Sequence, residues 1–206
     1  MKVLGVGLSR TGTTSLHEAF QLLGLKSLHY DKARLNDVLD GTNAHPDFRR
    51  YDDVDAVEDI PSAAFFEELL TAYPACKAVL TIRDIDCWWE SIVAHYNRRP
   101  PVEPETGWQR VRAKFDSRLR DQLEVNRFKR LLRNYVYGSV TAQEFLYRKK
   151  YVMHNERVLH KVPAERLLVM NICAGQGWEV LCTFLGLQHP GVPFPRVNAV
   201  TTVESP

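Results

Sequence analysis

The stretch Lys2-Val3-Leu4-Gly5-Val6-Gly7-Leu8-Ser9-Arg10-Thr11-Gly12-Thr13-Thr14-Ser15 decides the fold. Residues 2–7 form an apolar run short enough for a buried strand. Leu16, Ala19, Phe20, Leu22 and Leu23 follow at the spacing of an amphipathic helix. Between them lies a turn of glycine and hydroxyl residues. A strand–turn–helix of this kind leaves several backbone N–H groups aimed at one spot, at the positive end of the helix, where a phosphate or a phosphate-like anion binds. Capping the helix needs one hydroxyl. Four hydroxyls, a Gly and an Arg between Ser9 and Thr14 exceed that need.

Further along, Lys77-Ala78-Val79-Leu80-Thr81-Ile82 reads as a second buried strand ending at Arg83-Asp84. The helix after it spans 85–97 and carries Ile85, Trp88, Trp89, Ile92, Val93 and Tyr96. Trp88 and Trp89 are adjacent and so point to different sides of that helix, which puts at least one in the core. Other strands are expected at 25–30, 54–58 and 167–171. Helices are expected at 13–23, at 31–39 with Asp31 as cap, from Pro61 through Leu70, and at 178–185 with Gly186 as the stop. Strands alternating with helices favour a parallel sheet with helices on both faces. The middle departs from this rhythm. Arg98-Arg99-Pro100-Pro101-Val102-Glu103-Pro104-Glu105 is not regular structure. Residues 108–160 are helical in pattern and rich in Arg and Lys; most of that charge is expected to be a solvated face.

A chain of 206 residues suits one α/β domain, here 1–206. With 45% hydrophobic and 25% charged residues and a formal net charge of +2, no overall field draws it to nucleic acid. No apolar stretch approaches a membrane span, and no signal-peptide pattern opens the chain. Cys76, Cys87, Cys173 and Cys182 lack metal-ligand spacing and read as core thiols of a cytoplasmic protein. The seven histidines offer no convincing metal pair, so no metal is expected.

Two well-known anion-loop fingerprints nearly fit. Gly7 and Gly12 have the spacing of a nucleoside-triphosphate loop, with Thr14 at its final hydroxyl, but Thr13 stands where the lysine belongs. The dinucleotide fingerprint begins with Gly5 and Gly7 and then meets Arg10 where its third glycine should be. A third pattern fits better. Ser9-Arg10-Thr11-Gly12-Thr13-Thr14 resembles the Pro-Lys-Ser-Gly-Thr-Thr loop of sulfotransferases, with Arg10 in the place of the family's lysine. Arg83 at a strand end and Ser91 eight residues on resemble the pair that grips the 3′-phosphate there. The likeness continues from Tyr151-Val152-Met153-His154-Asn155 to Pro193-Phe194-Pro195, where the chain resembles a branch of small bacterial and fungal sulfotransferase-like P-loop proteins.

This resemblance implies a P-loop-type parallel sheet with a helical cover over about 98–160, set over the acceptor site. It implies 3′-phosphoadenosine 5′-phosphosulfate (PAPS) as co-substrate. Ser9, Arg10, Thr11, Gly12, Thr13, Thr14 and Ser15 would hold the 5′-phosphosulfate, and Arg83 with Ser91 the 3′-phosphate. Arg10 would be a fixed cation, because a guanidinium does not give up its proton. The family's catalytic His falls at Asp59 in Glu58-Asp59-Ile60-Pro61, which makes Asp59 the candidate base and Glu58 the reserve. Asp59 as an ordinary helix cap is the competing reading. The family's adenine-stacking Trp is Ser15 here, so other groups must hold the base. His29, His154 and Arg196 are further possible contacts, whereas His17 reads as a surface residue. The acceptor is a small molecule, a glycan or a lipid. A P-loop kinase or hydrolase and a non-catalytic nucleotide-binding descendant remain the alternatives.

Overall fold

The computed structural model describes residues 1–97 and 106–197. Five short strands form one parallel sheet: β1 (Val3–Gly5), β2 (Ser27–His29), β3 (Ala56–Glu58), β4 (Lys77–Thr81) and β5 (Leu167–Met170), in the order β2-β3-β1-β4-β5. Val3 is in register with Ala56 on one side and Lys77 on the other. Eight α-helices are described: α1 (Thr13–Leu22), α2 (Asn36–Leu39), α3 (Phe66–Ala72), α4 (Ile85–Asn97), α5 (Gly107–Ala113), α6 (Ser117–Tyr137), α7 (Glu144–Lys161) and α8 (Trp178–Leu185).

The period of two along each strand sends alternate side chains to opposite faces. Val3, Ala56 and Val79 join Leu16, Phe20, Trp178 and Leu181, so α1 and α8 cover that face. Leu4, Val57, Ala78 and Leu80 join Phe66, Leu69 and Val158, so α3 and α7 cover the other. With both faces buried, the central strands read as near-continuous apolar runs. A third cluster lies around the loop after β1, where Leu8 and Ile60 meet Trp88, Phe128, Leu132, Tyr137, Tyr147 and Tyr151. Burying each of these large side chains contributes on the order of 1.5–3 kcal/mol. This cluster binds α4, α6 and α7 to the end of the sheet, and α6 and α7 make up most of the expected helical cover.

Several boundaries differ from the expected ones. The strands are shorter, although Val6 N–H still reaches Val79 O at 2.9 Å beyond the end of β1. The expected helix at 31–39 shrinks to α2, because Asp31 caps a turn instead. Its Oδ1 accepts from the N–H groups of Ala33 and Arg34 at 2.9 and 3.3 Å. The helix expected from Pro61 opens as a 3-10 turn, Ser62–Phe65, before α3. Cys76 and Cys182 are core thiols, but Cys87 and Cys173 are exposed, and all four are free. The segment Arg98–Glu105, read as irregular, lies outside the described residues. Among the described residues no helix is long and apolar enough to cross a membrane.

Candidate functional site

The sheet order reverses direction next to β1. The chain leaves β1 through α1 toward β2 and returns beside β1 as β3, then passes α3 to β4 on the other side. The crevice between the C-terminal ends of β1 and β4 is therefore a topological switch point, the usual ligand position in open α/β sheets. The 8–12 loop and Arg83 both sit there.

Glycine makes the loop possible. A Cβ on Gly7 would lie 2.0 Å from Thr81 Oγ1 and 2.6 Å from Thr81 O, so only glycine lets the loop rest on β4. Gly12, the residue before α1, has φ 100°, in the region that favours glycine. It offers no side-chain cap, and the first turn of α1 has no acidic residue. No acidic residue of α1 itself therefore offsets the positive end of the helix, and its first N–H groups take no side-chain cap. Arg10 also has positive φ, 73°, an uncommon conformation for a non-glycine residue and one held by its surroundings.

Those surroundings explain where the loop hydroxyls go. Thr11 Oγ1 donates to Leu8 O at 2.7 Å and lies 2.6 Å from Thr81 Oγ1. Ser9 Oγ donates to Asp59 Oδ1 through a very short bond, and Thr13 Oγ1 donates to Asp59 Oδ2 at 3.0 Å. Ser15 Oγ accepts from Val197 N–H at 3.0 Å. Four of the five predicted hydroxyls thus brace the loop against the protein. Thr14 stands half-exposed on the first turn.

The two motifs meet. Arg10 Nε donates to Ser91 Oγ at 2.9 Å. Arg83 Nη1 is 3.5 Å from Arg10 O, and Arg83 Nε is buried without a hydrogen-bond partner. An unpartnered guanidinium N–H inside a protein is costly. Tyr151 fixes the backbone that carries it: its hydroxyl accepts from Arg83 N–H at 2.9 Å and donates to Arg83 O at 2.8 Å. Trp88, fully buried, donates its indole N–H to Ser9 O at 3.0 Å and stacks on Tyr151 with ring centroids 4.4 Å apart. Trp89 is the partly exposed one, with the Arg148 guanidinium 6.0 Å above its ring.

Asp59 follows β3 with φ 70° and is 6% exposed. Its carbonyl, not its carboxylate, accepts from Ser62 Oγ and Ala63 N–H at the start of the next turn. The carboxylate instead faces the loop, through Ser9 and Thr13, and also takes Ile60 N–H at 2.7 Å. Glu58, the last residue of β3, is fully buried. Burial pushes its carboxyl above the ordinary range, opposed by bonds from His17 and Ser27. His17 is consequently not a free surface residue: its Nδ1 is 2.5 Å from Glu58 Oε1, because α1 turns that face toward β2 and β3. His29 lies beside both carboxylates.

His154 and Arg196 both hydrogen-bond to backbone carbonyls. His154 Nε2 donates to Val6 O at 2.7 Å, and desolvation holds its imidazole below the ordinary histidine range. Arg196 donates to Ile172 O at 3.3 Å and Gly175 O at 3.2 Å. The sequence reading missed Tyr151 and the role of Trp88. The spacing of α4 carried a signal for the latter, since Trp88, Ser91 and Ile92 share one helical face.

The family model described as a sulfotransferase domain matches residues 2–203. A curated relative from Aspergillus versicolor, "Ava biosynthesis cluster protein M", is 32% identical over 216 residues, covering 96% of this chain and 80% of the relative. With the domain matched along nearly its whole length, the chain belongs to the sulfotransferase family.

Proposed function

We propose that the protein transfers a sulfuryl group from PAPS to a hydroxyl or amine of a small-molecule, glycan or lipid acceptor. The observation that supports this reading is the meeting, in one crevice, of two elements whose chemistry suits anions. The uncapped N-terminus of α1 lies on one side, and Arg83, with a buried unpartnered Nε, lies on the other, joined through Arg10 and Ser91. A nucleotide carrying phosphate at both its 5′ and 3′ positions matches that pair. Thr13 stands in place of the lysine that a nucleoside-triphosphate loop requires, which disfavours a kinase or hydrolase.

Bound PAPS supplies the sulfuryl group and a phosphate leaving group. The chain supplies position and charge, the main needs of such a transfer. Backbone N–H groups at the start of α1 and the Thr14 hydroxyl would hold the 5′ end, since the Ser9, Thr11, Thr13 and Ser15 hydroxyls are engaged within the protein. Arg10, a permanent cation, would balance charge on the leaving phosphate. Arg83 would grip the 3′-phosphate with Ser91. Asp59 would take the acceptor's proton.

Isothermal calorimetry tests the assignment. 3′-phosphoadenosine 5′-phosphate (PAP) should bind tightly and ATP with Mg²⁺ should not. The reverse order would reject PAPS as donor. Tight PAP binding without turnover on a broad hydroxyl and amine panel would instead identify a non-catalytic nucleotide-binding protein.

A further inference from the structure

The reading above uses Asp59 and leaves its neighbours unexplained. Glu58 is fully buried and accepts from Ser27 Oγ at 2.9 and 3.1 Å, with His17 Nδ1 at 2.5 Å. His29, at the end of β2, stands between the two carboxylates. Its Nδ1 is 3.7 Å from Glu58 Oε1, and its Nε2 is 3.5 Å from Asp59 Oδ2. Nδ1 is buried and makes no hydrogen bond. The ring also packs against that of His17, with centroids 5.4 Å apart. The ionisable groups facing His29 are thus Glu58 and Asp59 from β3 and His17 from α1.

His29 thus turns one nitrogen toward each carboxylate without reaching either. Both gaps exceed a normal hydrogen bond by about half an ångström. Each nitrogen therefore has a carboxylate within reach of a small movement of the ring.

We propose that His29 is a positioning residue that takes over the proton Asp59 removes from the acceptor, and passes it toward the Glu58–His17 pair. This rests on the reading of Asp59 as base. As the acceptor oxygen bonds to sulfur, the sulfur–oxygen bond to the 5′-phosphate breaks and the acceptor's proton moves to Asp59. It then moves from Asp59 Oδ2 to His29 Nε2, and the Nδ1 proton moves to Glu58 Oε1. His17, whose side chain is 19% exposed, returns it to solvent. Asp59 is left ionised, and His29, left with its proton on Nε2, regains the Nδ1–H form by proton exchange with solvent, to which its side chain is 23% exposed, before the next turnover. The high proton affinity that burial gives Glu58 suits it to receive a proton.

The test needs no acceptor other than water. PAP release from PAPS is followed for the wild-type chain, His29→Ala and His29→Gln, with PAP affinity measured on each by calorimetry. His29→Ala should keep PAP affinity within about threefold while kcat falls about tenfold or more, and millimolar imidazole should restore part of the lost rate. His29→Gln, which can hydrogen-bond but cannot relay a proton, should stay slow and gain nothing from imidazole. Wild-type kcat in either variant, or kcat and PAP affinity lost together without imidazole rescue, overturns the inference while the proposed function stands. A wild-type chain that neither binds PAP nor turns PAPS over removes the proposed function, and the inference with it.

Discussion

Arg10 Nε donates a 2.9 Å hydrogen bond to Ser91 Oγ across 81 residues of sequence. That bond ties the 8–12 loop to α4, whose Trp88 also holds the Ser9 carbonyl. The loop's shape is consequently not a property of the loop alone. Its positive-φ Arg10 persists because a helix from the far side of β4 grips it from both ends.

Arg83 and Ser91 should decide whether the site recognises a 3′-phosphate. Charge-assisted hydrogen bonds are worth about 1.5–3 kcal/mol each, or on the order of 10–100-fold in affinity. The wild-type chain should prefer PAP to adenosine 5′-phosphate by at least about tenfold. Arg83→Ala should erase the preference and Ser91→Ala should reduce it, as read by calorimetry with both nucleotides. A preference that survives Arg83→Ala would remove Arg83 from the site.

Asp59 has two jobs that one substitution separates. Asn retains an acceptor oxygen for Ser9 or Thr13 but does not take up a proton. Asp59→Asn should therefore bind PAP within several-fold of the wild-type affinity, while kcat falls by about 10²–10⁴. Unchanged turnover would assign Asp59 to the loop alone.

Gly7→Ala tests the approach of the loop to β4. The added methyl would meet Thr81 backbone and hydroxyl atoms that have no room to retreat. Overpacking of this kind costs about 1–3 kcal/mol. The urea midpoint should fall accordingly, and PAP affinity with it, because the Thr11–Thr81 contact must open. A variant with an unchanged midpoint would show that the loop does not rest on β4.

His154 should make stability depend on pH in the mildly acid range. Desolvation places its native pKa below that of the unfolded chain, so the unfolded state binds the proton more readily. Its contribution is complete above about pH 6.5 and declines as pH falls from there through the native value. His154→Gln removes this loss. The difference in Tm between wild type and variant should be larger at pH 7.5 than at pH 5.5. A difference that stays constant with pH would mean that the ring is not held neutral against the Val6 carbonyl.

What could be read from the chain was local. The 85–97 helix and the final helix stand where apolar periodicity put them. The strand–turn–helix at the N-terminus follows from a run of apolar residues, two glycines and a helical repeat. Boundaries failed where a competing local bond won, as at Asp31, whose carboxylate closes a turn rather than starting a nine-residue helix. His17 looked like a surface residue because its partner, Glu58, lies on a strand that reaches it only when β3 enters between β2 and β1.

The amino-acid order by itself determined that a strand, a glycine-hydroxyl turn and a helix would follow one another, since glycine conformations and helix-end N–H groups are properties of neighbouring residues. The tertiary structure alone decided that Arg83 and Ser91 would stand beside that turn, that Asp59 would face its hydroxyls and that His29 would lie between two carboxylates. Those meetings depend on strand order, which is set by how the apolar faces of distant helices pack on the two sides of the sheet.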